Sequence, residues 1–380
     1  MTNKNLGKKL NLAVLCGGQS AEHEVSIESA KNVVAALDKN RYQIFVIYIT
    51  QSGEWILLDS LAILLQNPQM QVLTEPVMGE RLFLRLGVDH PFAYWSENNL
   101  PPHTIPIDVI FPVLHGVHGE DGTLQGLLEL INIPYVGAGT LGSAVCMDKE
   151  ITKQILSAAG IPIAPWMLMR REEMAKISFA HVVEKLGLPL FVKPANTGSS
   201  VGVSKVKDEA QYAEALAKAW CYDDKIILEQ FIPGREIECA VLGNETVAAS
   251  IPGEIISHHE FYSYEAKYLD PNGADLQIPA ELPAPVMTQV QTLAKKAFTL
   301  LNCAGMARVD FFVDPSGKVI LNEANTIPGF TQISMYPKMW MASGMTYAEL
   351  IDELIRLALE RFKQQRVLVS QSHVAERMGC

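Results

Sequence analysis

The feature that most constrains the fold lies in the first fifty residues. An apolar run at residues 12–16 meets the turn Gly17-Gly18-Gln19-Ser20, and a helical pattern covers about residues 25–37. A second apolar run follows at residues 44–50. Strand, glycine turn, helix and strand in this order predict a βαβ unit with two parallel strands. The chain is therefore predicted to begin with a Rossmann-like α/β domain.

The length of 380 residues exceeds what one ordinary core organises, and the patterning predicts three domains. Residues 1–139 form the N-terminal α/β domain, and residues 140–251 form a central α+β domain. Residues 252–365 form a C-terminal domain, and 366–380 are a mobile tail. The aperiodic stretch at 253–275 is too long for a plain connection and predicts a lid loop.

Composition excludes several classes of protein. The net charge of -11 argues against general nucleic-acid binding. No run approaches the roughly 18 apolar residues of a membrane span, and the polar N-terminus has no signal-peptide core. The six cysteines are scattered without a CxxC pair, which is typical of reduced thiols. These observations predict a cytoplasmic protein with neither nucleic acid nor membrane as a partner.

The most informative chemistry lies in a predicted hairpin with strands at residues 306–313 and 318–322. Because side chains alternate along a strand, Arg308 and Asp310 share one face. If Asp314 pairs with Gly317, Arg308 lies opposite Glu323 and Asp310 lies diagonal to it. A bulge would shift this register, and a solvated face with a chance salt bridge is the alternative. Carboxylate and amide oxygens suit Mg²⁺. The predicted ligands are Asp310, Glu323 and Asn325.

A glycine-bearing loop at residues 195–202 follows a predicted strand at 190–194. It lacks a Walker motif, so phosphate binding by its N–H groups and hydroxyls competes with an ordinary turn. Lys193, at the end of the apolar strand, is a stronger signal, because a lysine that points into an interior needs an anion.

Two separated motifs carry a resemblance to a known family. The pattern Arg308-x-Asp310, then Asn322-Glu323-x-Asn325-Thr326-x-Pro328-Gly329, resembles the metal site of the D-alanine–D-alanine ligase family of ATP-grasp enzymes. The segment His115-Gly-x-x-Gly119-Glu120-Asp121-Gly122 is similar to another signature of that family, and the resemblance covers about residues 17–334. It implies the ATP-grasp fold, with ATP held between the central and C-terminal domains. It also implies two Mg²⁺ ions, for which Mn²⁺ can substitute.

The activity that the resemblance implies is ATP-dependent formation of a peptide bond. One D-alanine becomes D-alanyl phosphate and is joined to a second D-alanine for peptidoglycan precursor synthesis, in a cytoplasmic homodimer. A ligase of the same fold that takes D-lactate or D-serine second is an alternative. A catalytically inactive nucleotide-binding protein is another. A dinucleotide oxidoreductase is disfavoured because no GxGxxG follows the first strand.

Residue roles are carried over onto matching positions only. The implied ATP contacts are Lys149, Lys193, Ser199, Ser200, Glu229, Gln230, Phe231, Ile232, Glu236, Lys267, Asn322 and Glu323. The first D-alanine is implied to bind at Glu22 and His115. The oxyanion donors are Arg308 and the backbone N–H of Gly329, and the second carboxylate meets Ser334 and Met335. Tyr268 in the lid bonds with Ser199 and Glu22, and its presence favours an amine as second substrate.

Each of these residues also has an ordinary interpretation. Glu22 can act as a helix-start residue and His115 as a structural histidine. Lys149 and Lys267 can be solvent-facing lysines. Glu236 and Glu238 can belong to a solvated strand face.

Overall fold

Three β-sheets organise the residues that the computed structural model describes, which are 9–60, 63, 79–95, 101–258 and 273–378. The first sheet has seven strands in the order β6-β5-β4-β3-β2-β1-β7. Their bounds are β1 Leu10–Gly17, β2 Tyr42–Ile49, β3 Trp55–Leu58, β4 Gly79–Leu84, β5 Phe92–Tyr94, β6 His103–Thr104 and β7 Val109–Pro112.

The predicted βαβ unit is confirmed. Helix α1, His23–Ala36, joins β1 to β2, and β1 pairs in parallel with both β2 and β7. The inner faces of β1 and α1 are fully buried, as at Leu12, Val14 and Ile27. Parallel strands covered on their faces need continuous apolar runs, which is why the pattern was readable.

The antiparallel half of this sheet, from β3 to β6, was not predicted. Residues 55–106 show little periodicity, because β4 is only partly buried and β6 is exposed. Strands with two partly solvated faces carry no strong alternation of apolar and polar residues.

Three helices lead from the first sheet towards the second. They are α2 Thr123–Leu130, α3 Thr140–Met147 and α4 Lys149–Ala158. Asp148 separates α3 from α4 and caps α4, because its carboxylate accepts the N–H groups of Glu150 at 3.0 Å and Ile151 at 3.2 Å. The chain turns away at Gly160, whose φ of +69° is typical of a glycine just beyond the end of a helix.

The second sheet is antiparallel, with the order β10-β9-β11-β8. Its strands are β8 Trp166–Arg170, β9 Leu190–Pro194, β10 Ser204–Val206 and β11 Lys225–Gln230. A 3-10 helix, Arg171–Lys176, follows β8. Two helices, α5 Phe179–Leu186 and α6 Glu209–Ala219, share a buried core with this sheet. Helices packed on one antiparallel sheet match the α+β arrangement predicted for this part of the chain.

The third sheet has six antiparallel strands. They are β12 Arg235–Gly243, β13 Val247–Ala249, β14 Gly253–Ser257, β15 Ala274–Gln277, β16 Gly305–Val313 and β17 Val319–Asn325. The order is β15-β14-β12-β16-β17, with β13 paired to β12. Helix α7, Ala284–Leu300, buries Phe298 against this sheet. The sheet runs across the predicted boundary at 251/252, because β12 pairs with β14 and β16.

Two helices close the described chain, α8 Met335–Ala342 and α9 Tyr347–Met378. Residues 366–378 of the predicted tail continue helix α9. None of the helices in the described residues is both long and apolar enough to cross a membrane. The five described cysteines are free thiols, and four of them are buried.

Candidate active site

A cleft that opens to solvent lies between the second and third sheets. Five elements supply its walls: α4, β9, the glycine loop, β12 and the β16–β17 hairpin. The lining side chains with chemical groups of interest are Lys149, Lys193, Ser199, Ser200, Glu236, Glu238, Arg308, Asp310, Asn322 and Glu323.

The predicted register of the β16–β17 hairpin was wrong, but two successive shifts return the side chains to the predicted face. Near the turn Val313 pairs with Val319, one position away from the predicted pairing, which alone would have reversed the faces. A bulge beyond Asp310 adds Asn322 as an extra residue and shifts the register once more. Asp310 therefore lies directly opposite Glu323, rather than diagonal to it.

Arg308 lies opposite Asn325 in the same register and is held by carboxylates. Its guanidinium donates from Nε and Nη2 to the two oxygens of Asp310, both at 2.8 Å. Its Nε also lies 3.1 Å from Glu238 Oε2. Burial acts to lower the pKa of Arg308, but Asp310 and Glu238 outweigh it, and the pKa is raised. Asn325 Nδ2 donates to Asp310 at 3.0 Å, so this face is one connected network.

Lysines from β9 and α4 form the opposite wall of the cleft. Lys149 Nζ donates to the carbonyl of Thr197 at 2.6 Å and thereby tethers the glycine loop. Burial lowers the pKa of Lys149, against the attraction of Glu323. Burial acts in the same direction on Lys193, but its contact with Glu229 prevails and its pKa is raised. The ordinary interpretation of Lys149 as a surface lysine therefore fails.

Glu22 joins the N-terminal domain to the glycine loop. It is 8% exposed, and Ser199 Oγ donates to its Oε1. A Cβ atom built on Gly116 would come within 2.9 Å of Glu22 Oε2, and one on Gly198 within 3.3 Å. Both positions lack side chains where the carboxylate needs room. Ser199 and Ser200 have φ of +48° and +60°, a left-handed conformation that is uncommon for serine.

His115 and Glu120 hold the same region to the third sheet. His115 Nδ1 donates to the carbonyl of Ile327 at 3.0 Å, and its Nε2 lies 3.3 Å from Ser29 Oγ. Burial lowers the pKa of His115, so the ring is neutral. Glu120 accepts the N–H of Gly116 at 2.7 Å and that of Ile327 at 3.2 Å. Burial, reinforced by the charge of Glu22, raises the pKa of Glu120 to about 8.

Gly329 and Ser334 are neighbours beyond β17. A Cβ atom on Gly329 would lie 2.6 Å from Ser334 Oγ, so a side chain there would displace that hydroxyl. Ser334 Oγ accepts the N–H of Thr331 at 2.9 Å, and Met335 begins helix α8. The first turn of a helix presents N–H groups and a positive dipole end to an anion. This position therefore suits a carboxylate.

The chemistry of the cleft fits a divalent cation. Among the lining residues, Lys149, Lys193 and Arg308 are positive, and Glu236, Glu238, Asp310 and Glu323 are negative. A triphosphate would be repelled by Asp310 and Glu323 unless a cation lay between them. The described residues contain no group of three or more His, Cys, Asp or Glu placed to hold a metal. Two carboxylates and an amide leave several positions for water and phosphate oxygens, as Mg²⁺ prefers.

Family profiles match most of the chain. A profile described as "D-ala D-ala ligase N-terminus" matches residues 11–138, and one described as "D-ala D-ala ligase C-terminus" matches residues 155–356. The chain belongs to the D-alanine–D-alanine ligase family. The ATP-grasp fold expected from the resemblance is confirmed.

Relatives and solved structures extend this result over nearly the full length. The chain is 46% identical to a D-alanine–D-alanine ligase of Coxiella burnetii, with 98% of this chain and 100% of the relative covered. It is 48% identical to D-alanine–D-alanine ligase A of Escherichia coli K12, with 95% and 99% covered. The solved D-alanine–D-alanine ligase of C. burnetii superposes with a TM-score of 0.86 at 43% identity, covering 98% and 100%. The VanG D-Ala:D-Ser ligase of Enterococcus faecalis gives 0.82 at 35%, covering 92% and 100%.

The ATP contacts expected at residues 229–232 lie outside the cleft described above. Residues 229–232 do not contribute to its walls. Backbone N–H groups of Gln230 and Phe231 donate to the carbonyls of Pro165 at 2.9 Å and Pro189 at 3.3 Å. Glu229 is 2% exposed and is bonded by Lys153 and Lys193. Adenine contacts by Glu229, Gln230, Phe231 and Ile232 remain predictions. Lys267 and Tyr268 lie outside the described residues.

Sequence reasoning missed three residues of this ligase site. Glu238 is 5% exposed and contacts Arg308, so the solvated-face interpretation fails for it. The sequence placed Glu238 on the same strand face as Glu236, which was its only signal. The pairing of Glu238 with Asp310 cannot be predicted without the fold. Glu120 stood in a quoted motif without a role. Lys153 carried no signal beyond its place on one face of α4, four residues after Lys149.

Proposed function

We propose that this ligase converts ATP and two D-alanine molecules into D-alanyl-D-alanine, ADP and phosphate through D-alanyl phosphate. The observation that carries the proposal is the hydrogen bond from Ser199 to Glu22. It places a buried carboxylate suited to a substrate ammonium beside the glycine loop that lines the cleft. An amino acid held there has its own carboxylate directed towards the phosphates.

The nucleotide binds in the cleft between the second and third sheets. Lys149 and Lys193 supply positive charge for the phosphates, and the loop hydroxyls of Ser199 and Ser200 add donors. Glu236 lines the cleft and suits the ribose hydroxyls. The remaining expected contacts are Glu229, Gln230, Phe231, Ile232, Lys267 and Asn322.

Asp310, Glu323 and Asn325 would hold two Mg²⁺ ions, with Mn²⁺ as a substitute. This assignment is supported by the direct pairing of Asp310 with Glu323 and by the charge balance of the cleft. Bound there, Mg²⁺ would supply positive charge that neutralises the charge developing on the phosphates. To ligate a metal through Oδ1, Asn325 can keep its Nδ2 bond to Asp310.

In the first step, a carboxylate oxygen of D-alanine attacks the γ-phosphorus, and ADP leaves. Glu22 fixes the ammonium of that D-alanine, and neutral His115 packs beside it. In the second step, the neutral amine of the other D-alanine attacks the acyl carbon, the bond from that carbon to the phosphate oxygen breaks, and phosphate leaves with the proton that the amine loses. Arg308 and the N–H of Gly329 stabilise the oxyanion, where each donor is worth about 3–4 kcal/mol. Ser334 and Met335 receive the second carboxylate at the start of α8.

The choice of second substrate rests on Tyr268 and on similarity. Tyr268 closes the lid over Ser199 and Glu22 and favours an amine, while a closed lid protects the acyl phosphate from water. A D-lactate or D-serine ligase is the alternative. Curated relatives that are 46–48% identical over nearly the whole chain are named D-alanine–D-alanine ligases, which supports D-alanine. We further propose that the protein acts as a cytoplasmic homodimer in peptidoglycan precursor synthesis.

Phosphate release tests the proposal. The full chain with ATP, Mg²⁺ and D-alanine should release phosphate and form the dipeptide in equal amounts. Mixtures with D-lactate or D-serine as second substrate at neutral pH should yield D-alanyl-D-alanine as the main product. Absence of release with D-alanine would contradict the ligase assignment, and dominant mixed product would establish the alternative.

A further inference from the structure

A buried lysine behind the cleft has no role in the reaction described above. Lys153 lies on α4, one helical turn after Lys149, and is 2% exposed. Its ammonium donates to Glu229 Oε1, while Lys193 donates to Glu229 Oε2 from the cleft side. Lys153 itself does not line the cleft, so Glu229 separates the two ammonium groups.

Lys153, Glu229 and Lys193 form a row of three charges. Their sum decides how much positive charge Lys193 offers to an anion in the cleft. Burial acts to raise the pKa of Glu229, but the two ammonium groups overcome it and lower the pKa to about 2. Glu229 is therefore fully charged at neutral pH. With Lys193 as its only partner, the carboxylate and ammonium would cancel each other. Lys153 adds one positive charge from behind, and the row of three carries a net charge of +1.

We propose that Lys153 is a positioning residue for nucleotide binding. It neutralises Glu229 from the rear, which leaves the charge of Lys193 available to the triphosphate. The inference rests on the proposed function, since it needs a nucleotide in the cleft. A buried charge is costly unless it is paired. Because the effective dielectric constant of a buried site is lower than that of water, the loss of a neighbouring charge strongly changes the electrostatic energy at short range.

The decisive experiment measures the Lys153 effect with and without the charge of Glu229. The affinity of the full chain for MgADP is measured by calorimetry, and KM for ATP and D-alanine by phosphate release. We expect Lys153→Met to weaken MgADP binding and raise KM for ATP about tenfold. The KM for D-alanine stays unchanged, and kcat falls less than about threefold. Lys153→Arg restores most of the affinity, because it returns the charge.

In the Glu229→Gln background the same Lys153→Met change should cost less than about twofold, since no carboxylate remains to neutralise. An equal loss in both backgrounds would show that Lys153 acts only by packing and would overturn the proposal. No loss in either background would overturn it as well. If Lys153→Met does not fold, Lys153→Gln keeps a donor to Glu229 without the charge, and the same comparison is made with it.

Lys296→Met is the matched control. Lys296 is exposed and donates to the carbonyl of Ala159, just beyond the end of α4. The substitution therefore removes an equal charge at a position away from the cleft. It should leave MgADP affinity unchanged. If the wild-type chain does not bind MgADP, the proposed function itself fails. If wild type and Lys153→Met bind equally well, only the role of Lys153 fails.

Discussion

The β16–β17 hairpin and the Glu22–Ser199 junction lie in one site but are built in different ways. In the hairpin, neighbouring strands set the positions of Asp310 and Glu323 through backbone pairing. At the junction, Glu22, Gly116 and Ser199 come from three distant segments that meet through side-chain contacts. A hairpin keeps its geometry when a side chain is removed. The junction depends on how the segments approach each other, so changes there should act on substrate binding.

The largest effect should come from the hairpin. Glu323→Ala removes a predicted metal ligand from a strand whose backbone pairing is unaffected. We expect phosphate release to fall at least about 1000-fold, with the melting temperature and circular dichroism close to wild type.

Glu245→Ala is the control for this change, because Glu245 is an exposed carboxylate in the turn between β12 and β13 of the same sheet. It should keep wild-type activity. A Glu323→Ala protein that turns over at the normal rate would place the metal elsewhere.

The junction should give a smaller and more selective effect. Glu22→Gln keeps the size that Gly116 and Gly198 accommodate but removes the charge for the substrate ammonium. We expect KM for D-alanine to rise roughly 10- to 100-fold, the usual worth of a hydrogen bond to a charged group. The KM for ATP should change little.

Glu24→Gln serves as the comparison for Glu22→Gln, since Glu24 is an acidic residue in the first turn of α1. Steady-state kinetics at saturating ATP separate the two. An unaltered KM for D-alanine in Glu22→Gln would mean that the ammonium binds at another carboxylate.

The smallest effect should come from Glu120, which links the two regions because its carboxylate accepts the N–H groups of Gly116 and Ile327. Its folded-state pKa is raised from 4.5 to about 8, chiefly by burial. The folded protein therefore holds this proton more tightly than the unfolded chain. The stability that this proton contributes is present below pH 4.5 and is lost as the pH rises through about 8.

Glu120→Gln removes that titration. Relative to wild type, the variant should gain about 1–3 kcal/mol of stability between pH 5 and pH 9. Melting temperatures of both proteins across this range measure the difference, in which titrations of other groups cancel. A difference that is constant with pH would show that Glu120 is ionised throughout.

The same contrast explains how far the sequence could be interpreted. Helix α1, strands β1 and β2 and the β16–β17 hairpin were predicted because their residues are close in the chain and periodically apolar. The face shared by Arg308 and Asp310 was predicted for the same reason. The register was not, since the bulge at Asn322 depends on how the strand fits against its neighbours.

Contacts between distant segments could not be predicted from spacing. Glu238 faces Arg308 only because β12 lies beside β16, more than sixty residues later in the chain. The Lys153–Glu229–Lys193 row similarly needs α4, β9 and β11 to be packed together. The family resemblance supplied Glu22 and Ser199, whereas no local pattern indicated that they touch.

The two glycines beside Glu22, Gly116 and Gly198, allow two segments of the chain to approach the same carboxylate closely. Gly116 belongs to the first domain of the chain and Gly198 to the glycine loop that lines the cleft, and one carboxylate oxygen lies between them. A methyl group at Gly116, where φ is +71°, would come within 2.9 Å of that oxygen, and one at Gly198 within 3.3 Å. Two positions that are far apart in the chain therefore share the task of leaving room for a single carboxylate.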